Sequence, residues 1–313
     1  MKNLDKQILT TLETNARITI NEIARILRQN RDTISRNIKR MEDEKIIVGY
    51  YPVLDLTKLG YQTNRINLQV EELDKNTEEL FVKFLEQDLE AGLIYTMDQQ
   101  YNWGMYFWTK SPYELDNLLK KIKDFLNEKL FASKYNLICE TVQFPRDNIL
   151  ENKEHQKFIK TKPSNERPYD EIDIKILKAL SKNARKSSVE LSKEINVPQT
   201  TIIHRMRKLE KDKIILAYRT EINGNKFGFV YYGLEFYLKN RSEVKEIYAF
   251  IYKDRRTTWL ENAIGENDFN SEIEAKNRDD LDNFLLELKE KFKTIRRIMY
   301  YPEHYKKITY LPR

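Results

Sequence analysis

The sequence is poor in several residue types on which common functional sites depend. It has one cysteine, Cys139, so no disulfide can form within the chain. Its three histidines, His155, His204 and His304, show no metal-ligand spacing with Cys139. With eight glycines in 313 residues, the sequence offers no phosphate-cradling glycine loop, and it contains no recognisable Ser-His-Asp or Cys-His arrangement. We therefore predict no metal, no cofactor and no catalytic residues.

Long apolar runs are missing too. No run approaches the roughly 18 residues that a membrane span needs. The opening stretch, MKNLDKQILTTLE, carries acidic and polar residues where a signal peptide would need an apolar run. These features predict a cytoplasmic protein without a membrane partner. Neither charge sign dominates: 55 Lys and Arg against 49 Asp and Glu give +6, a weak indication of an acidic partner such as nucleic acid.

The most informative feature present is a repeat. The stretch NARITINEIARILRQNRDTISRNIKRMEDEKII (Asn15–Ile47) aligns without a gap with NARKSSVELSKEINVPQTTIIHRMRKLEKDKII (Asn183–Ile215), at an offset of 168 residues. The flanking stretches YYPVLDLTKLGY (Tyr50–Tyr61) and YRTEINGNKFGF (Tyr218–Phe229) continue the match. The chain is therefore interpreted as two copies of a unit of about 150 residues, called copy one and copy two below.

Each copy opens with three helical patterns followed by β sequence. Apolar residues at helical spacing predict the buried stripes of three short helices. The stripes in copy one are Leu4, Ile8, Leu9 and Leu12, then Ile20, Ile23, Ala24 and Leu27, then Ile34, Ile38 and Met41; those in copy two are Ile172, Ile176, Leu177 and Leu180, then Val189, Leu191 and Ile195, then Ile202, Met206 and Leu209. The stretches KIIVGYYPVL and KIILAYRTEI that follow are rich in branched and aromatic residues and predict a β wing. Three helices with a wing describe a winged helix-turn-helix.

The rest of each copy alternates in the order β-α-β-β-α-β, which is the ferredoxin-like order. The predicted elements of copy one are 65–71, 77–87, 93–99, 103–109, a helix that begins at Pro112 behind the N-cap Ser111, and 135–143; those of copy two are 231–238, 243–252, 259–264, 269–275, 279–292 and 298–305. The predicted class is α+β. The predicted domains are winged helix-turn-helix 1–60, ferredoxin-like 61–146, a linker 147–170 with a short helix at its start, winged helix-turn-helix 171–228 and ferredoxin-like 229–313.

The outward face of the third helix is the candidate for contact with DNA, because this helix of the module enters the major groove. Arg can pair bidentately with guanine and Gln with adenine. The predicted base-reading residues are Arg31, Asp32, Ser35 and Arg36 in copy one, and Gln199, Thr200, Ile203 and His204 in copy two. The predicted phosphate contacts are the basic residues further along the helix, namely Lys39, Arg40, Arg205, Arg207 and Lys208. The alternative interpretation is a solvated charged face.

Each copy resembles the Lrp/AsnC family of prokaryotic transcriptional regulators. The residues that carry the resemblance are LDKQIL…NAR and IDIKIL…NAR, RNIKRMEDEKIIVGY and HRMRKLEKDKIILAY, and LDLTKLG and INGNKFG. The resemblance implies that the partner is double-stranded DNA. It also implies that the ferredoxin-like halves are the family's RAM/Lrp-type domain, which senses a small effector and pairs face to face with the same domain of a second protomer.

The resemblance also implies an effector site. Members of the family often carry a Gly-x-x-Asp pattern in the loop between the middle strands, near the site of a small effector such as an amino acid. The stretch IGENDFNSEI of copy two fits with Gly265 and Asp268, and Asn267 lies between them. Copy one has Gln99 and Asn102 at the aligned positions. The alternative is a plain hairpin turn, in which glycine supplies a positive φ and the polar residue caps its own backbone.

The two copies depart from the family, and from each other, on the DNA-reading helix. The family's arginine in the middle of this helix is kept as Arg205 in copy two, while copy one has Asn37. Asn30 can cap the helix in copy one, but Pro198 in copy two provides no side-chain cap. The repeat, together with the pairing of sensing domains that the resemblance implies, predicts an intrachain pseudo-dimer. The divergence of the two third helices predicts that it reads an asymmetric DNA site. Higher homo-oligomers remain open.

Two other functions are alternatives to a DNA-binding regulator. The stretch YNW (Tyr101–Trp103) resembles part of the pattern of siroheme decarboxylases of the heme pathway. Those enzymes also contain paired Lrp-like units, and they use His and Arg in the sensing domain. Because neither sensing domain of this chain has a well-placed histidine, we predict that it is not an enzyme. The other alternative is a protein-interaction scaffold that has lost DNA binding.

Overall fold

The structure is a computed structural model that describes residues 3–151 and 158–311. These residues form two compact units. The HTH unit contains the described residues of 1–55, 144–159 and 166–229, and the sheet unit contains those of 56–143, 160–165 and 230–313. Each unit thus combines corresponding parts of both copies. The predicted α+β class is confirmed. No helix in the two described ranges is long and apolar enough to cross a membrane.

Apart from one short strand in the predicted linker, the helices and strands of the described residues follow the predicted order. The α-helices are α1 (Asn3–Thr14), α2 (Ile20–Leu27), α3 (Arg31–Asp43), α4 (Lys75–Lys83), α5 (Pro112–Leu126), α6 (Asp147–Leu150), α7 (Glu171–Lys182), α8 (Ser188–Ile195), α9 (Gln199–Lys211), α10 (Val244–Lys253) and α11 (Arg278–Lys291). The strands are β1 (Ile47–Leu54), β2 (Gln62–Val70), β3 (Leu93–Met97), β4 (Trp103–Thr109), β5 (Leu130–Gln143), β6 (Ile159–Thr161), β7 (Ile215–Ile222), β8 (Val230–Leu238), β9 (Thr257–Ile264), β10 (Phe269–Ala275) and β11 (Ile295–Ile308).

Local sequence explains where the helices of the HTH unit begin. The side chain of Thr19 accepts a hydrogen bond from the backbone of Glu22, whose carboxylate accepts one from Thr19 in return, and Ser187 and Glu190 repeat this capping box in copy two. Asn30 caps α3, whereas α9 begins behind Pro198 without a side-chain cap. The predicted stripes of the third helices lie inward, since Ile34, Ile38 and Met41 of α3 and Ile202, Met206 and Leu209 of α9 are all buried. The prediction for Val189 of α8 is wrong, because its side chain is exposed. It lies two positions before the buried Leu191, and two positions along a helix turn a side chain to the opposite face.

The two winged helix-turn-helix modules pair with each other inside the HTH unit. Their wings, β1 and β7, form a two-stranded antiparallel sheet. The backbone amide of Ala16 donates to the carbonyl oxygen of Tyr218 (2.9 Å), and the amide of Ala184 donates to that of Tyr50 (2.8 Å). Ala16 and Ala184 are equivalent in the repeat, as are Tyr50 and Tyr218. The contact is therefore reciprocal, as in an interface with two-fold symmetry.

The arginine of each NAR motif extends this reciprocal contact. The guanidinium of Arg17 lies 5.2 Å from the ring centre of Tyr218, and that of Arg185 lies 5.2 Å from the ring centre of Tyr50. Arg185 also donates to the carbonyl oxygen of Ala16 (2.6 Å). The turn that contains each NAR motif thus packs against the other module and, with the paired wings, holds the two modules together.

The segment predicted as a linker contains two elements. Helix α6 has buried Ile149 and Leu150 and packs near α1 in the HTH unit. Strand β6, which the sequence did not predict, joins the edge of the sheet beside β5. Residues 152–157, which include His155, lie outside the described residues. Pairing with β5 gives Ile159–Thr161 a strand conformation that the polar sequence around it does not indicate.

The strands of the sheet unit follow each other in a closed order. The order is β2-β4-β3-β11-β8-β10-β9-β5, and β5 also pairs with β2, so the eight strands form a ring. Each copy contributes four neighbouring strands in the ferredoxin-like order. Strands β5 and β11 each serve two neighbours in succession. The first part of β5 pairs with β2 of its own copy, and its last part pairs with β9 of the other copy. The first part of β11 likewise pairs with β8 of its own copy, and its last part pairs with β3 of the other copy. This double use explains why both strands are longer than predicted.

Alternation along the strands gives the ring two different faces. In β2, Ile66 and Leu68 pack in the apolar cluster that includes Phe81 of α4 and Ile122 of α5, while Arg65 points to the opposite face, into the ring. This inner face holds buried tyrosines and charged side chains. Glycines make room for the rings across the strand pairs.

The close approach is clear at Gly104 and Gly233. A Cβ at Gly104 would overlap the ring of its cross-strand neighbour Tyr95, and a Cβ at Gly233 would overlap that of Tyr301. Side chains at these two glycine positions would therefore displace the tyrosines from the interior.

Two carboxylates inside the ring share one tyrosine hydroxyl. The hydroxyl of Tyr305 lies 2.8 Å from Glu303 and 3.3 Å from Glu272. Burial raises the pKa of Glu303 from its ordinary value of 4.5 to about 7, and the hydrogen bond from Tyr305 offsets only part of this rise. Burial also raises the pKa of Glu272 well above 4.5, and the nearby Glu303 and Glu261 raise it further.

The raised pKa of Glu303 gives the stability of the sheet unit a pH dependence. In the unfolded chain this carboxyl ionises near 4.5, but in the folded chain it ionises only at about 7. The stabilising effect of the protonated form is therefore complete below pH 4.5 and is lost as the pH rises through 7. Glu303→Gln should raise the free energy of unfolding relative to the parent, by an amount that grows from pH 5 to pH 8 and reaches at most about 3 kcal/mol.

Urea unfolding at pH 5, 6, 7 and 8 measures this difference. Glu128→Gln, at an exposed acid of the same unit, is the control and should give a flat difference. An advantage of Glu303→Gln that shrinks with rising pH would contradict the assignment.

Candidate nucleic-acid interface and effector loop

The outward face of α3 carries most of the residues predicted for it. Arg31, Asp32, Arg36 and Lys39 are exposed, and Ser35 is half-buried. Their contacts are long and local: Arg31 lies 3.5 Å from Asp32, the Nε of Arg36 lies 3.4 Å from the carbonyl oxygen of Asp32, and Lys39 lies 3.8 Å from Asp43. Exposed pairs of this kind contribute little energy. These side chains can therefore turn toward a ligand at little cost.

The outward face of α9 has a different chemistry. Gln199, Thr200, His204 and Arg207 are exposed, and Ile203 is half-buried. The amide of Gln199 donates to the hydroxyl of Ser188 at the start of α8 (2.9 Å). Among the four exposed residues, Arg207 carries a permanent positive charge. The two third helices thus present unlike surfaces.

Arg40 and Arg205 do not lie free on these faces. Arg40 pairs with Asp5 at the start of α1 (2.7 Å), and Arg205 pairs with the equivalent Asp173 at the start of α7 (3.3 Å) and with Asp170 (2.6 Å). Asp5 and Asp173 are each only 1% exposed. An unpaired buried carboxylate is costly, so each arginine holds the third helix against the first.

The two arginines occupy different positions of the repeat. Arg205 is equivalent to Asn37, whose amide donates to the carbonyl oxygen of Thr33 (2.8 Å). Arg40 is equivalent to Lys208, whose ammonium lies 3.4 Å from the carbonyl oxygen of Pro168. The arginine that neutralises the buried carboxylate has thus moved by about one turn of the helix between the copies. This shift accounts for the missing arginine at Asn37.

The sequence did not single out Arg17 and Arg185 as functional, although the repeated NAR motif was visible. Both line an open cleft of the HTH unit together with Arg31 at the start of α3. The other lining residues are Thr19, Ile20, Asn21 and Ser187. Because Thr19 and Ser187 are helix N-caps, two helix N-termini face this cleft as well.

The predicted effector residues lie in the hairpin between β9 and β10. The carboxylate of Asp268 accepts a hydrogen bond from the backbone amide of Leu238 at the end of β8 (2.8 Å). In copy one, the amide side chain of Asn102 binds Val70 at the equivalent end of β2, accepting from its amide (2.9 Å) and donating to its carbonyl oxygen (2.8 Å). The two side chains therefore perform the same strand-end contact.

Gly265 and Asn267 also have structural contacts. Gly265 does not have a positive φ, so the turn alternative considered from the sequence is not the reason for a glycine here. A Cβ would overlap the side chain of Asn136, so the close approach requires glycine. The amide of Asn267 is buried and donates to the carbonyl oxygen of Phe269 (2.8 Å).

Comparison with known proteins supports the repeat. The family model described as winged helix-turn-helix DNA-binding matches residues 1–48 and 169–215. An uncharacterised HTH-type transcriptional regulator of Pyrococcus horikoshii is 32% identical over 116 residues, which are 37% of this chain and 78% of that protein. The leucine-responsive regulatory protein of Haemophilus influenzae is 41% identical over 54 residues, which are 17% of this chain and 32% of that protein.

Among solved structures, the siroheme decarboxylase NirDL is similar along almost the whole chain. The match has a TM-score of 0.64 and covers 99% of this chain and 94% of that one, at 12% sequence identity. At this identity the likeness concerns the fold alone.

The ion pairs of Arg40 and Arg205 predict a loss of stability on their removal. Arg205→Ala leaves the buried Asp173 without its guanidinium and should lower the free energy of unfolding by about 1–3 kcal/mol. Arg40→Ala should act likewise through Asp5, and Asn37→Arg in the same chain should restore stability, because it places the guanidinium where copy two has it. Chemical unfolding measures both effects.

Arg207→Ala, at an exposed arginine of the same helix, is the comparison variant and should change stability by no more than about 0.5 kcal/mol. Equal effects of Arg205→Ala and Arg207→Ala would contradict the structural role given to Arg205.

Proposed function

Because the chain belongs to the Lrp/AsnC family of transcriptional regulators and carries two copies of the family's unit, we propose that it binds double-stranded DNA as an intrachain pseudo-dimer. The general function, that of a DNA-binding regulator of the Lrp type, follows from the family. The observation that carries the pseudo-dimer proposal is the reciprocal contact of the two NAR turns. In it, the NAR turn of each module binds the tyrosine in the wing of the other module. A partner protomer has no vacant surface to occupy there.

The pairing of strands in the sheet unit supports the same proposal. The edge strands of the two ferredoxin-like halves pair with each other, β3 with β11 and β5 with β9. A tether between two such halves makes their association intramolecular and gives an effective concentration of about the millimolar range.

For DNA recognition, we assign base reading to the two unlike faces described above. In copy one these are Arg31, Asp32, Ser35 and Arg36, and in copy two Gln199, Thr200, Ile203 and His204. For phosphates we assign Lys39, Arg207 and Lys208. Arg40 and Arg205 are not included, because their guanidinium groups are bound to buried or capping carboxylates. Because the outward faces of α3 and α9 differ and belong to one pseudo-dimer, the DNA site should have two different halves.

We also propose that an amino-acid effector binds at residues 265–268. Asp268 is engaged by Leu238 and also lies 3.5 Å from Arg241. The group of this loop that we assign to an effector is therefore the side-chain oxygen of Asn267, which is buried and accepts no hydrogen bond within the described residues. The hairpin would have to open for a ligand to reach it.

The enzyme alternative has support at the level of the fold alone. The likeness to siroheme decarboxylase NirDL comes at 12% identity. Of the two described histidines, His204 lies on the outward face of α9, and His304 is exposed beside Asp98. Neither is placed in the buried interior of the ring, where an enclosed substrate would need it. We therefore retain the regulator as the proposed function.

Selection of binding sites from random DNA tests the asymmetric operator. We expect a site with two different halves spaced by about one helical turn. The chain offers a matched variant: Gln199→Arg, Thr200→Asp, Ile203→Ser and His204→Arg give α9 the face of α3, and this chain should select a site closer to a palindrome. A palindrome recovered with the parent chain would reject unlike half-site reading, and the absence of any enriched site would reject sequence-specific binding.

Two exposed residues of α3 separate base contacts from phosphate contacts. Arg36→Ala should cost about 1–3 kcal/mol on the selected site and little on a scrambled duplex. Lys39→Ala should weaken binding to both duplexes alike and reduce the salt dependence by about one unit of slope. Titrations at several salt concentrations measure both. Equal losses on the two duplexes for Arg36→Ala would mean that this arginine contacts the backbone.

A further inference from the structure

The buried charges of the sheet unit divide strictly by copy. Among the described residues of this unit, the buried cationic side chains are Arg65 and Lys134, both from copy one. The buried carboxylates all come from copy two, and they are Glu235, Glu261, Glu274 and Glu303. One half of the ring thus presents basic side chains to its interior, and the other half presents acidic ones.

These charges meet across the boundary between the copies. The ammonium of Lys134 lies 2.7 Å from the carboxylate of Glu235 and 3.3 Å from the hydroxyl of Tyr237. Arg65 lies 3.8 Å from Glu261. Each cation of copy one therefore finds its counter-charge in copy two. Buried ions without a counter-charge are strongly disfavoured.

The strand registers show what two like halves would bring together. Lys134 pairs with Asn67 in copy one, and Met299 pairs with Glu235 in copy two. Because Asn67 and Glu235 are equivalent in the repeat, Lys134 is equivalent to Met299. With the same strand pairing, two copy-one halves would set Lys134 against Asn67, and two copy-two halves would set Glu235 against Met299. Neither arrangement neutralises the buried charge.

The second pair follows the same rule. Arg65 is equivalent to Gly233, and Glu261 is equivalent to Tyr95. Two copy-one halves would set Arg65 against Tyr95, and two copy-two halves would set Glu261 against Gly233. Each like pairing would therefore leave every charge of both pairs without an opposite charge.

We propose that the interior of the ring is a pairing code, by which the copy-one half accepts a copy-two half and rejects a second copy of itself. The partner surface that each half fits is one of opposite buried charge, carried on the same strand framework. The code rests on the proposed pseudo-dimer and deepens it. It keeps the two unlike recognition helices in one assembly and excludes assemblies with two identical ones.

Charge reversal in the full-length chain tests the code. Lys134→Glu and Glu235→Lys should each lower the thermal midpoint strongly, because each sets two like charges together inside the ring. The double variant should recover most of the loss. The control is the exposed pair Lys120 and Asp116 on α5 (2.6 Å), where Lys120→Glu should shift the midpoint by a degree or less.

Mixing the two single variants distinguishes a pairing code from a general loss of stability. The copy-one half of Lys134→Glu complements the copy-two half of Glu235→Lys, and the remaining two halves are of parent sequence. An equimolar mixture, refolded together, should form a species of twice the chain mass by light scattering, with a midpoint near that of the parent. Each variant alone should not. A mixture that behaves as the sum of its parts would overturn the code.

Neutral substitutions keep the test readable if the reversed variants do not fold. The double variant Lys134→Met, Glu235→Gln removes the charges at similar volume and should fold. With the code weakened, it should form homotypic dimers at concentrations where the parent does not, detected by cross-linking between copy-one halves of two differently tagged chains. A variant as resistant to such dimers as the parent would overturn the part of the proposal that rests on Lys134 and Glu235.

The code and the proposed function can fail separately. If the parent chain were an obligate dimer by light scattering at low concentration, the intrachain pseudo-dimer would be wrong. The reversal cycle would still report on the code, because unlike halves of two chains would use the same contacts. DNA binding of the parent is measured independently of both.

Discussion

At the turn between the first two helices of each module, the guanidinium of an arginine lies over a tyrosine ring that belongs to the other copy. The contacts of Arg17 with Tyr218 and of Arg185 with Tyr50 fix the two modules in one frame. Both tyrosines also donate to a glutamate at the end of a third helix, Tyr50 to Glu42 and Tyr218 to Glu210, at 2.7 and 2.8 Å. The same rings thus connect the pairing contact to α3 and α9. The orientation of the two third helices depends on this arrangement.

Duplication within one chain removes a restriction that a symmetric dimer imposes. In a symmetric dimer each interface residue meets a surface of its own sequence, so a change must suit both sides at once. In the fused chain the two sides vary independently. Arg65 can then lie where its equivalent is Gly233, and Glu235 where its equivalent is Asn67. The apolar stripes of the first and third helices have no such freedom, since each packs within its own module, and they occupy the same positions in both copies.

The sequence predicted the features that depend on local pattern. Most of the helical stripes and the order of strands follow from periodicity and from neighbours a few residues apart, and the α+β class is confirmed. The ion pairs of Arg40 and Arg205 could not be predicted, since their carboxylates lie 35 and 32 residues away. The roles of Arg17 and Arg185 were missed because a short motif does not reveal what it contacts. Nor does the alternation of β2 or β8 indicate which charge faces which. The predicted DNA-contacting residues stay predictions.

The closed ring also determines when the protein can finish folding. Strand β3 ends at Met97, but the strand that pairs with its free edge, β11, begins only at Ile295. At a synthesis rate of about 5–20 residues per second, the intervening stretch of about 200 residues takes roughly 10–40 s to make. During that time the inner face of the copy-one half, with Arg65 and Lys134, has no partner within the chain. A nascent chain therefore passes through a period in which a neighbouring nascent chain could supply the missing strands, and an inner face that repels its own kind would limit that error.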